Sequence, residues 1–138
     1  EEEPDAIVDI ATLTGAALAA LGGEFAAVIG SDADVVRQVE EAAESSDEPV
    51  WELPLARDKY RKTLDSVVAD MKNVGGPYAG ATTAAIFLSE FVGDVPWAHI
   101  DIAGPMNADA DTGWKSKGAT GFGTRLLIDL ANAFEPAN

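Results

Sequence analysis

The segment Trp97-Ala98-His99-Ile100-Asp101-Ile102-Ala103 carries the chain's one histidine, two positions before an aspartate. Residues two apart on a strand project to the same face, so an imidazole and a carboxylate would share one side of a sheet. Such a pair is two-thirds of an acyl-transfer constellation, and the nucleophile is missing. No Gly-x-Ser-x-Gly turn exists to hold a strained serine, and the chain has no cysteine. With one imidazole, no thiolate and no His-Glu-x-x-His, a zinc site would have to be built mostly from carboxylates. His99 and Asp101 therefore read as a buried pair that hydrogen-bonds structurally, and no complete catalytic constellation is legible.

Other segments imitate ligand loops. Gly75-Gly76-Pro77-Tyr78-Ala79-Gly80-Ala81-Thr82 has the glycine spacing of a phosphate-binding P-loop, but Ala81 stands where lysine is needed and Pro77 removes a backbone donor. Glycines that let a loop bend into the start of a buried helix explain the same letters. Asn107-Ala108-Asp109-Ala110-Asp111-Thr112-Gly113 alternates oxygen ligands like a calcium loop, yet its glycine falls one place late and Gly118 replaces the closing glutamate. That stretch reads as a solvated turn. Gly118-Ala119-Thr120-Gly121-Phe122-Gly123 lacks the order of a dinucleotide fingerprint and reads as a tight loop and helix start. Thr12-Leu13-Thr14-Gly15 has two open readings. It is a hydroxyl-rich turn offering main-chain groups to a ligand at close approach, or it is a Thr-capped helix start.

The elements that position these loops alternate. Strands are expected at 6–11, where a short apolar run reads as buried on both faces, and at 25–30, 66–71 and 97–103. Helices are expected at 16–21, at 33–45 behind a Ser31 or Asp32 cap, at 57–64, 80–91 and 121–133. Pro49 and Pro54 flank Trp51-Glu52-Leu53, so that extended piece is not a central strand. Alternation predicts an α/β fold, helices layered on both faces of a largely parallel (mixed) sheet, with residues 1–138 forming one domain without a linker. In such sheets, sites form where loops leave the carboxyl ends of the strands, which selects residues 12–15 and 104–118.

Composition excludes several partners. Nine basic residues against 24 acidic ones leave a net charge of −15, so nucleic acid is repelled. Fourteen of the acids lie in residues 1–52 against Arg37 alone, and they read as solvated surface. No apolar run is long enough to cross a bilayer and the acidic start is unlike a signal peptide, so a cytoplasmic location is expected.

Taken in order, Asp9-Ile10-Ala11-Thr12-Leu13-Thr14-Gly15-Ala16, Val50-Trp51-Glu52-Leu53-Pro54-Leu55, Ala69-Asp70-Met71-Lys72-Asn73, Thr83-Ala84-Ala85-Ile86-Phe87-Leu88-Ser89-Glu90-Phe91, Trp97 to Gly104, and Lys117-Gly118-Ala119-Thr120-Gly121 resemble successive blocks of the leucine (cytosol) aminopeptidase family. The resemblance spans about residues 5–130. It implies the C-terminal portion of the catalytic domain of a hexameric metallo-exopeptidase. Such an enzyme releases N-terminal residues from peptides with a pair of divalent ions, Zn or Mn, that polarise the carbonyl and activate water. It further implies that Thr12, Leu13 and Gly15 hold the substrate through main chain and border its first side chain, while Ala103 and Met106 line an apolar pocket. The family's metal ligands and its catalytic lysine and arginine belong to stretches not matched here, and Asp9, Asp70 and Asp101 do not correspond to them. On this reading the chain is a fragment, inactive alone, with no catalytic or metal-binding residue of its own. The competing reading is a non-catalytic, stand-alone α/β module that self-associates through a sheet edge or the basic helix 57–64.

Overall fold

The computed structural model describes residues 3–136. Its central sheet has four strands in the order β1-β4-β2-β3, formed by Ile7–Ala11 (β1), Ala26–Gly30 (β2), Val50–Glu52 (β3) and Trp97–Asp101 (β4). β1 runs parallel to β4 and β3 parallel to β2, while β2 and β4 are antiparallel, so the sheet is mixed. The helices are Gly15–Leu21 (α1), Ala33–Ser46 (α2), Arg57–Tyr60 (α3), Gly80–Ser89 (α4) and Thr124–Ala133 (α5). A two-stranded ribbon, Asn107–Ala108 (β5) against Gly118–Ala119 (β6), completes the fold.

Strand alternation sorts the core into two layers. Val28, Ala98 and Ile100 pack against Val35, Val36, Val39 of α2 and Leu126, Leu130 of α5. On the opposite face Ala27, Ile29 and Trp97 pack against Ala17 of α1 and Ala81, Ala85 of α4. The arrangement is the expected α/β/α layering. Asp32 caps α2 by accepting from Asp34 N and Val35 N, and the face Val35, Val36, Val39, Ala42, Ala43 is buried as its spacing predicts. The chain turns into α4 through Gly76, at φ +124°, and a left-handed Ala79, and the helix opens at Gly80.

Several elements differ from expectation. Residues 66–71 form no strand: Val67 and Val68 are almost fully exposed, and Ser66 Oγ accepts from Val68 N and Ala69 N in a local turn. β-branched residues favour strands only where a packed, pleated surface receives them, and none does here. Residues 57–64 are not one helix but α3 followed by a 3-10 turn, Arg61–Leu64. β1 is half-buried rather than buried on both faces, because among the described residues it pairs only with β4 and forms one edge of the sheet. The segment between the prolines supplies β3, a three-residue strand at the other edge. The 118–123 segment starts with β6, and α5 opens later than expected, at Thr124.

Candidate functional site

Parallel neighbours release their loops on the same side, and β1 and β4 are aligned so that Ala11 stands opposite Asp101. The ladder closes one residue further, with Ile102 N donating to Ala11 O at 2.9 Å. The 12–15 loop and the turn through Ala103 therefore leave the sheet side by side.

Asp101 sits between them, 1 % exposed. Its Oδ1 accepts from Leu13 N at 3.0 Å, Thr14 N at 3.3 Å and Ala103 N at 3.2 Å, and its Oδ2 accepts from Thr14 Oγ1 at 2.6 Å. A buried carboxylate would be costly without such partners; here both oxygens are satisfied by N–H and O–H donors. Thr14 Oγ1 also accepts from Ala17 N at 3.0 Å and so caps α1. The capped-helix reading of this turn is thus correct for Thr14, while Thr12, Leu13 and Gly15 remain exposed at the surface.

Beside this loop lies a cleft of about 460 Å³, with Leu13 and Thr14 on one wall and Thr83, Phe87 and Leu88 of α4 on the other. Asn73 and Val74 reach its rim from the irregular stretch after the 3-10 turn. Of the residues expected to bind substrate, Leu13 borders the cleft. Ala103 is buried, tied through its N–H to the same oxygen that holds Leu13 and Thr14. Met106 is 40 % exposed and is fixed through its main chain, its N donating to Ile102 O and its O accepting from Thr120 N. The structure brings Leu13 and Ala103 to one carboxylate; Met106 stands farther along the turn and is not part of the cleft wall. The α4 wall was not read from the sequence as part of a site. Its sequence signal is weak: apart from Thr82, Thr83 and Ser89 the helix is apolar, and only the structure shows that Phe87 and Leu88 stay half-buried.

His99 and Asp101 are both buried on one face but do not bond to each other. His99 Nδ1 lies 2.5 Å from Asp9 Oδ1 across the β1–β4 ladder, and Asp9 Oδ2 accepts from Trp97 Nε1 at 2.7 Å. Among the described residues, no group of three or more His, Cys, Asp or Glu side chains forms a metal cluster. Asp9 and Asp101 are both occupied with internal donors. The two arginines of α3 and its following turn are engaged: Arg57 and Arg61 both reach Glu90 Oε1, at 2.6 and 3.0 Å.

A family model described as the cytosol aminopeptidase family, catalytic domain, matches residues 1–128. The chain belongs to the cytosol aminopeptidase family. Probable cytosol aminopeptidases of Nostoc punctiforme and Geobacter sulfurreducens are 51 % and 49 % identical over 125 and 131 residues, covering 91 % and 95 % of this chain but 25 % and 26 % of theirs. The chain thus spans about a quarter of the length of these curated relatives. Among solved structures, the bottromycin maturation enzyme BotP in complex with Mn is 40 % identical with a TM-score of 0.87, over 94 % of this chain and 29 % of that one. A tomato leucine aminopeptidase mutant is 42 % identical with a TM-score of 0.84, over 91 % of this chain and 24 % of that one. Membership in the cytosol aminopeptidase family makes the chain part of a peptidase fold, and no helix of the described residues is long and apolar enough to cross a membrane.

Proposed function

We propose that this chain is the substrate-pocket portion of a cytoplasmic, hexameric leucyl aminopeptidase that uses two divalent ions, Zn or Mn, to release N-terminal residues from peptides. Thr12, Leu13 and Gly15 hold the peptide main chain, and Ala103 and Met106 line the pocket for its first side chain. The observation that carries this reading is the convergence of the 12–15 loop and the Ala103 turn at the carboxyl end of β1 and β4. The mostly apolar cleft between Leu13 and α4 supports binding of an apolar group of the substrate, whose burial there contributes about 25 cal/mol per Å² of surface removed from water. The complex of BotP with Mn supports metal dependence. On this reading the ions and the groups that activate water belong to other segments of the family's catalytic domain.

The test compares a longer polypeptide that includes the family's remaining segments with the 138 residues alone, both assayed on leucine amide with Mn²⁺ and Zn²⁺ added. The longer polypeptide is expected to hydrolyse the amide, and the short one to show neither hydrolysis nor stoichiometric binding of two ions. Robust metal-dependent hydrolysis by the pure 138-residue chain would sink this division of labour.

A further inference from the structure

We infer that Asp101 is the positioning residue of the substrate site: one buried carboxylate sets the spacing between the 12–15 loop and the Ala103 turn, and substrate affinity depends on it. The inference rests on the assignment of those two segments to substrate binding and adds the part that holds them together. Neither segment is fixed by the sheet ladder, which ends at Ala11, Asp101 and the Ile102 N–H. Beyond that point three main-chain donors and one hydroxyl converge on a single carboxylate, linking positions 87 and 88 residues apart in the sequence. Thr14 Oγ1 is committed twice, donating to Oδ2 and accepting from Ala17 N, so the carboxylate sets the start of α1 together with the loop.

Charge is part of the device. Oδ1 takes one N–H more than its two lone-pair directions, so the longest contact, from Thr14 N at 3.3 Å, is the weakest of the three, and both oxygens accept at once. In Asp101→Asn one of the two atoms becomes an NH2 donor. Facing Thr14 Oγ1, it leaves the threonine hydroxyl proton without an acceptor; facing the three N–H groups, it opposes donors with a donor. In the first orientation the remaining oxygen still accepts the three N–H groups, but as a neutral carbonyl that holds them more weakly than a carboxylate; in the second the loop and the turn lose their common anchor, and side-chain volume is unchanged in both. A displacement of about 1 Å in a substrate-positioning group costs on the order of 10²-fold in catalytic efficiency.

The experiment uses the full-length aminopeptidase with its metals, and the variants Asp101→Asn, Thr14→Val and Thr14→Ser. Hydrogen exchange read by mass spectrometry on peptides covering 12–18 and 100–106 reports the anchor, and leucine amide kinetics report its use. Asp101→Asn is expected to speed exchange in both peptides and to raise KM at least tenfold with metal content retained. Thr14→Val is expected to reproduce part of both changes and to add little to Asp101→Asn, whereas Thr14→Ser, which keeps the hydroxyl, stays close to the parent. Unchanged exchange in Asp101→Asn overturns the inference, as does faster exchange with unchanged KM. The two arms separate the failures: if the unmodified enzyme does not hydrolyse leucine amide, the proposed function falls, and exchange alone still decides whether Asp101 anchors the loops.

Discussion

Glu48 offers the sharpest test of the packing. It lies in the turn after α2, 4 % exposed, and its Oε2 accepts from Gly123 N at 3.0 Å and Leu126 N at 2.8 Å. These are donors at the start of α5 that no intrahelical carbonyl satisfies, and a carboxylate there also meets the positive end of the helix. Arg125 Nε, 3.5 Å from Oε1, is half-exposed and adds little. In Glu48→Ala the two N–H groups lose their partner in a buried setting. Hydrogen bonds to a charged acceptor contribute ~1.5–3 kcal/mol each. Releasing the glutamate side chain returns up to about 2 kcal/mol of conformational entropy. The expected net loss is about 1–4 kcal/mol. Glu48→Gln keeps an oxygen for both donors and forfeits the charge, so about 1 kcal/mol is expected. Urea unfolding followed by circular dichroism measures both, since the midpoint shifts at constant slope when stability alone changes. A Glu48→Ala protein within about 0.5 kcal/mol of the parent would refute the reasoning. So would a Glu48→Gln protein as damaged as Glu48→Ala.

Two more perturbations address the site and its support. A Cβ added at Gly15 meets no atom within 4 Å, so Gly15→Val should leave the fold's melting temperature nearly unchanged and abolish leucine amide hydrolysis in the full-length enzyme by occupying the peptide's space; an unimpaired variant would count against the loop's role. At Gly104 a Cβ would run into Gly22 O and approach Phe25 O to 2.9 Å, so Gly104→Ala should cost about 1–3 kcal/mol by forcing the Ala103 turn off the end of α1, seen as a lower urea midpoint.

Local patterns determined most of the elements. The spacing of Val35, Val36, Val39, Ala42 and Ala43 marks the buried face of α2, Asp32 caps it, and the prolines at 49 and 54 confine β3 to a three-residue edge. Their failure at residues 66–71 has a plain cause. Val67 and Val68 are strand formers by shape, but a strand needs a partner ladder and a surface to cover, and the chain supplies neither there. The ordered blocks, from Asp9 to Gly121, identify the family because they encode loops and pockets together rather than any one motif.

Tertiary structure decided the partners. Same-face neighbours along a strand are about 6.6 Å apart, whereas facing residues on adjacent strands are about 4.8 Å apart. His99 therefore turns to Asp9 across the ladder and leaves Asp101 for the 12–15 loop, an assignment that depends on the β1–β4 register and not on the spacing of 99 and 101. Glu48 is likewise one more acid in a solvated run until α5 folds onto α2 and presents its first N–H groups. The sequence by itself determined most of the strands and helices and the family to which the chain belongs. Only the fold decided which carboxylate serves which donor, because hydrogen bonds reach across a few ångströms of space whatever their distance along the chain.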